Sequence, residues 1–414
     1  MLHVRGERIQ RRIDELAALV DPASPPYTRR SFTDTYARGR AWLREELLTA
    51  GLDAHLDPAA NLVGVRQGGD PDLAAIVIGS HIDTVVGGGR FDGIAGVVIA
   101  LEIADVLADH GRTLRHPLHV VDFLAEEPSV YGVACVGSRA FAGLLTADHL
   151  NQRGPDGETL AEGMARMGAI VDTLRGPLAG ATDVAAFLEL HIEQGRRLER
   201  SRCVIGIVSG VVGIRRYRLT ITGQANHAGT TAMADRRDAL VAASRVITDV
   251  HDRARSHLAP LVATIGRIDV SPNSPNVIAG TATLILETRA PDEPAVEAFV
   301  AGALEAAERS VAGSGCQLQV SEISHQAPVP FDVRIQAAIA AAASRRGHPA
   351  EPLFSGAGHD AAQLTQLWPA GMLFVPSRDG VSHHADEWTE PEHLVAGAET
   401  MLDAVLELDD ELDA

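Results

Sequence analysis

Short apolar runs separated by helical stretches dominate the first half of the chain. Ala74 to Ile78, Leu118 to Leu124 and Ala185 to Leu190 are continuous enough to form strands buried on both faces. Leu62 to Arg66 reads as another strand, set off by the turn Gly68-Gly-Asp-Pro71. Residues 5 to about 20, Thr33 to Ala50 and Gly93 to Asp109 read as helices, and Thr146 to Arg175 as a polar helical region. Alternation of strand and helix predicts βαβ units and a mostly parallel sheet.

After about Ser209 the pattern changes. Arg216 to Thr222 alternates like a half-exposed strand, Arg236 to Arg255 is helical, and Leu261 to Asp269 and Thr281 to Arg289 are strands. A helix over Pro294 to Ala312 and a strand over Gln317 to Ser324 complete a βαββαβ order, the signature of a small α+β domain of ferredoxin-like type. The α/β pattern then resumes with a helix over Arg334 to Arg346, a loop from Ser355 to His359, a strand over Gly371 to Val375 and a helix from Glu392. The expected fold class is therefore α/β: residues 1–212 plus 328–414 form one domain, and residues 213–327 form a ferredoxin-like domain inserted into it. Hinges are expected near Ser209-Gly210 and Ala327-Pro328.

Composition narrows the class of function. At 414 residues the chain exceeds the size at which a single core stops growing, and its 46% hydrophobic and 22% charged residues suit a folded protein. The net charge of -19, with no basic patch, argues against nucleic acid or an anionic membrane as partner. Gly93 to Leu107 is the longest apolar region; Glu102 and Asp105 interrupt it, and it is too short to span a bilayer. The first twelve residues carry charges where a signal peptide needs its apolar core. Cys135, Cys203 and Cys316 show no metal or redox spacing, so the expected location is a reducing cytoplasm.

The chemistry collects at strand ends. His81 follows the first buried run, the adjacent acids Glu126 and Glu127 follow the second, and His191 closes the third. A parallel sheet brings such ends to one edge. The glycine-rich stretch Gly79 to Gly96 adds Asp83, placed to fix the tautomer of His81, and Asp92, placed to close on the same ion. The run Ser382-His-His-Ala-Asp-Glu-Trp388 offers one more ligand, His383 or His384. Two imidazoles, a bridging carboxylate and further carboxylate ligation suit a pair of divalent ions, zinc first and manganese second. Of two adjacent acids, one can bind metal while the other takes a water's proton and returns it to a leaving nitrogen. The glycines at 87 to 89 do not form a phosphate cradle, because the Lys and Ser/Thr of such a loop are missing.

An ordered set of motifs resembles one family across essentially the whole chain. These are Gly79-Ser-His-Ile-Asp-Thr84, Gly89-Arg-Phe-Asp-Gly93, Glu126-Glu127, Glu189-Leu-His-Ile-Glu-Gln-Gly195, Asn226-His-Ala-Gly-Thr-Thr231, Asn276-Val-Ile278, Gly356-Ala-Gly-His-Asp-Ala361 and Ser382-His383. The chain resembles the hydantoinase/carbamoylase-type amidases of the M20 metallopeptidase clan, which include N-carbamoyl-L-amino acid hydrolases and allantoate amidohydrolases. The resemblance implies a metallopeptidase-like catalytic domain with an inserted lid and dimerisation domain. It implies two divalent ions per subunit, Zn2+ first and Mn2+ or Co2+ next. Asp92 would bridge them, His81 and His191 would complete one, and Glu127 and His383 the other. Glu126 would be the general base and Asp83 the partner of His81. His227 would stabilise the oxyanion from the other subunit of a homodimer, Asn276 and Arg289 would hold a substrate carboxylate, and Gln194 and Gly358 would orient the ureido group. Pro128-Ser-Val-Tyr-Gly132 departs from the family's usual Gly-Ser and Arg-Phe dipeptide, and His384-Ala-Asp386 from its usual Ser-Pro-Glu; both border the expected pocket. The implied reaction is hydrolysis of the ureido group of an N-carbamoyl-L-amino acid to amino acid, ammonia and carbon dioxide. Gly213-Ile-Arg-Arg-Tyr217 is similar to the allantoate-hydrolysing members, which keeps allantoate or ureidoglycolate as the nearest alternative, ahead of an N-acyl-amino-acid deacylase or an aminopeptidase.

Overall fold

A computed structural model describes residues 1–174, 176–178, 184–257 and 260–412. The chain divides into two compact units, Met1–Ser209 with Pro330–Ala414, and Gly210–Val329. Sequence alone places the two changes at 212/213 and 327/328.

Among the described residues the strands run β1 (Asp53–Leu56), β2 (Leu62–Arg66), β3 (Ala75–Ser80), β4 (Leu118–Asp122), β5 (Val184–Ile192), β6 (Ile205–Val211), β7 (Gly213–Thr222), β8 (Val262–Ser271), β9 (Thr281–Ala290), β10 (Gln317–Gln326), β11 (Val329–Pro330), β12 (Ala350–Ser355) and β13 (Ala370–Val375). The large sheet has the order β1-β2-β4-β3-β5-β13-β6-β11, with β12 beside β6. Its centre is parallel, β4 with β3, β3 with β5 and β5 with β13, whereas β2 meets β4 and β6 meets β13 antiparallel. The expected mostly parallel sheet is present, and its flanks reverse direction. Every residue of β3 and β13 is buried, in keeping with their unbroken apolar runs. The helix Ile94–Asp109 is buried along nearly its whole length, so it lacks a polar face and packs as a core helix. No helix among the described residues is long and apolar enough to cross a membrane.

The other unit is an antiparallel sheet of order β10-β7-β9-β8, with helices Ala239–Ser256 and Glu293–Ala312 supplying its apolar core. Along β9, Ala282, Leu284, Leu286, Thr288 and Ala290 are buried while the residues between them are half-buried, as a sheet covered on one face requires. This matches the expected βαββαβ order.

Three local expectations change. Thr146 to Arg175 is not one helical region: it holds helices Ala147–Leu150 and Leu160–Arg166 and a 3-10 turn at Val171–Thr173, while Arg175 lies outside the described residues. Gly157 and Gly168, both at positive φ, break the path there. Short β1 was not anticipated, nor was β6. The loop expected from Ser355 is entered from a strand, β12, and left through helix Asp360–Leu364.

Candidate metal and catalytic site

Parallel pairing places Ser80 opposite Asp122, and Phe374 opposite His191, so the chain leaves β3, β4, β5 and β13 at one edge. His81, Glu126, Glu127 and His191 emerge there, and the loop after β3 returns Asp92 to them. Gly93 makes that return possible: its φ is +67° and a methyl on it would overlap the His81 ring. Ala125, Cys135, Gln194 and His383 also hold left-handed backbone, at about 1–2 kcal/mol each for a residue with a Cβ. Backbone strain of this kind collects where side chains must be aimed.

Asp92 is the hub. Its Oδ1 lies 3.0 Å from His191 Nε2 and 3.7 Å from His81 Nε2. Its Oδ2 lies 3.1 Å from His383 Nε2, which in turn is 3.3 Å from Glu127 Oε1. Two groups able to hold an ion thus share one carboxylate: buried His81, Asp92 and His191, and Asp92, Glu127 and the half-exposed His383. Of the two candidates after β13, His383 is the one aimed inward, whereas His384 faces Asp386 on the surface. A further grouping of Glu189, His191 and His359 is committed otherwise. Glu189 accepts from Ser80 Oγ and the Ala361 N–H, and His359 Nε2 meets Ser355 Oγ at 2.8 Å with its ring against His191.

Tautomers follow from the other ring nitrogens. His81 Nδ1 lies 3.0 Å from the main-chain oxygen of Asp83, and His191 Nδ1 lies 2.9 Å from that of Ile192, so both can donate there and present Nε2 lone pairs to the site. Asp83 thus stands beside His81 Nδ1, through its main-chain oxygen and with its carboxylate at 3.6 Å. The same carboxylate also accepts the N–H groups of Glu126 (3.1 Å) and Glu127 (3.2 Å), so it aims the acid pair as well.

The site is anionic. Asp92, Glu126 and Glu127 are buried, and their ion-pair partners among the described residues are histidines only. Burial opposes ionisation of Asp92, but His191, His383 and His81 outweigh it and hold its pKa well below the usual carboxylate range. Burial, with Asp360, Glu127 and Asp83 nearby, pushes Glu126 well up. Hydrogen bonds to Asp92 and Glu127 raise His383 to about 10. Buried carboxylates without a cation are costly, so this donor set of imidazole nitrogens and carboxylate oxygens fits divalent metal.

The remaining expected residues fall in different places. Gln194 reaches the site, but its Nε2 donates to Asp92 Oδ2 at 2.6 Å, so its amide is engaged by the shared carboxylate. Gly358 directly precedes buried His359 and has open space where a Cβ would stand. His227, Asn276 and Arg289 belong to the Gly210–Val329 unit. There His227 bridges to Val277, the Asn276 carbonyl accepts from the Ala228 N–H, and Arg289 Nε donates to Glu287 Oε1 at 2.8 Å.

Two residues escaped the sequence reading. Cys135 is buried with its Sγ 3.4 Å from Glu126 Oε1. Glu387 is buried against the loop that carries Asp92, at a distance of 296 residues from Phe91 along the chain. The available signal for Glu387 was Gly89, because a methyl there would overlap the Glu387 carboxylate.

Known proteins resemble the chain over most of its length. Residues 77–407 match the family described as peptidase family M20/M25/M40. The chain is 36% identical to an N-carbamoyl-L-amino acid amidohydrolase of Geobacillus stearothermophilus, covering 98% of this chain and 99% of the relative. It is 34% identical to the allantoate amidohydrolase of Bacillus subtilis, covering 96% of each. Its fold is similar to the crystal structure of a hydantoinase/carbamoylase family amidase from Burkholderia multivorans, with TM-score 0.90, 38% identity and 98% of each chain covered. The chain belongs to peptidase family M20/M25/M40, in its hydantoinase/carbamoylase branch, and is an amidohydrolase acting on carbon–nitrogen bonds other than peptide bonds.

Proposed function

We propose that the protein is a two-metal amidohydrolase of N-carbamoyl-L-amino acids, consuming one water to release the amino acid, ammonia and carbon dioxide. The observation that carries the two-metal reading is the division of the Asp92 carboxylate, Oδ1 toward His191 and His81 and Oδ2 toward His383. His81, Asp92 and His191 would hold one ion; Asp92, Glu127 and His383 would hold the other, with zinc ahead of manganese or cobalt. When bound, such a pair polarises a carbonyl and lowers the pKa of a water. Glu126 would take a water's proton and return it to the leaving nitrogen. Its position supports this role: Oε2 faces His81 Nε2 at 3.6 Å, and it stands outside both ligand groups, while Glu127 turns to His383. His227 is assigned to the oxyanion, contributed by the second subunit of a homodimer built on the Gly210–Val329 unit, and Asn276 and Arg289 to the substrate carboxylate. Arginine suits that task because its planar fork matches a carboxylate.

The choice of substrate rests on relatives named for N-carbamoyl-L-amino acids. Similarity to two named allantoate amidohydrolases supports allantoate as the second reading. Ammonia release from N-carbamoyl-L-amino acids, their carboxamides, allantoate, N-acetyl-amino acids and dipeptides decides between them. N-Carbamoyl-L-amino acids with a free carboxylate are expected to be hydrolysed fastest, and Arg289→Ala to raise KM for them while leaving the carboxamides unaffected. Cleavage of acetyl or peptide substrates with no ureido turnover would overturn the proposal.

A further inference from the structure

Glu387 has no role in the chemistry above, yet its side chain is among the most constrained near the site. It is 1% exposed. Its Oε1 accepts the N–H groups of Phe91 (2.8 Å) and Asp92 (3.1 Å), and its Oε2 accepts the hydroxyl of Ser382 (2.8 Å). Ser382 Oγ also lies 3.1 Å from Asp92 Oδ2, and the next residue in the chain is His383. One buried carboxylate thus ties together two loops from opposite ends of the sequence: the first delivers Asp92, the second His383. Gly89 leaves the room that the carboxylate needs. With no cationic partner among the described residues, this buried carboxylate carries a desolvation cost that a purely structural brace could avoid with an apolar pair.

The tether is also one-sided. His81 and His191 are held by the carbonyls of Asp83 and Ile192, and the Gly93 N–H stands 3.1 Å from His191 Nε2; none of these contacts involves Glu387. The oxygen of Asp92 that Ser382 reaches is Oδ2, the one facing His383.

We propose that Glu387 is a positioning residue for the half-exposed metal position formed by Asp92, Glu127 and His383, and that it acts through Ser382 and the Phe91 and Asp92 amides without touching the ion. This rests on the two-metal reading. Groups that orient metal ligands typically contribute about 10–100-fold to affinity. Glu387 should therefore govern one of two binding steps more strongly than the other, which it reaches only through the shared Asp92.

Zinc uptake by the chelator-treated protein, followed by calorimetry against a competing chelator and by metal analysis, tests this without reference to activity. The wild type is expected to take up two ions. Glu387→Ala and Gly89→Ala should weaken one affinity about 10–100-fold and the other distinctly less. Ser382→Ala, which removes only a hydroxyl and leaves the fold intact, should weaken the same step by a smaller factor. Glu387→Gln, whose amide can still accept from the two N–H groups and donate to Ser382, should stay close to wild type. Adding Glu387→Ala to His383→Ala should bring no further loss, because both act on one position. Unchanged affinities in Glu387→Ala and Ser382→Ala, or equal weakening of both steps, would overturn the inference. A wild type that takes up fewer than two ions would overturn the two-metal reading itself, and the inference with it.

Discussion

Replacement of Asp92 by alanine is expected to abolish hydrolysis and to remove both ions together. Its two oxygens face different histidines, so no other ligand can keep either group intact: without Asp92 the buried group is reduced to His81 and His191, and the other to Glu127 and His383. Loss of the metals removes several kcal/mol of transition-state stabilisation, on the order of 10³-fold or more in rate. The same variant removes the acceptor that holds the Gln194 amide at 2.6 Å. Metal analysis beside ammonia release checks the prediction. Retention of one tightly bound ion by Asp92→Ala would show that Asp92 is a terminal ligand of one ion and not a bridge.

Glu126→Gln should instead separate chemistry from binding. The amide cannot accept the water's proton, so kcat should fall about 10²–10⁴-fold while KM and metal content stay at wild-type values. The adjacent acid makes this a sharp test of role, since Glu126 and Glu127 are both held by the Asp83 carboxylate and differ only in where they point. Loss of metal in Glu126→Gln would mean that the two acids exchange roles. Mixing this variant with an inactive His227→Ala variant should restore part of the activity if His227 serves the neighbouring subunit's site. Mixed dimers with no activity would place His227 in its own subunit's reaction or outside it.

The convergence of His81 and His191 was legible because its cause is local and topological at once. Runs such as Ala74 to Ile78 and Ala185 to Leu190 identify buried strands by composition, and parallel packing then delivers His81 and His191 to the same edge. The inserted unit was equally readable from its alternating strands, of which β9 is the clearest case. Contacts that depend on how loops meet were not readable. Nothing in the spacing of His81 and Asp83 says that the carboxylate would also accept the Glu126 and Glu127 amides, with the Asp83 carbonyl nearer to the imidazole. The Gln194 amide engages Asp92 for a similar reason: left-handed backbone at Gln194 aims it, and no residue pattern announces that conformation. Glu387 looked like one more acid in a polar run; its burial depends on a loop that lies at the other end of the chain and on the absence of a side chain at Gly89. The broken path between Thr146 and Leu174 shows the reverse error, in which helical-looking composition hides turns at Gly157 and Gly168.

The most direct test of the account is the stoichiometry of reactivation. Chelator-treated protein should be inactive toward an N-carbamoyl-L-amino acid, and stepwise addition of zinc should restore ammonia release until it levels off at two ions per chain. Full activity in the metal-free protein, or a plateau at one ion per chain, would contradict it.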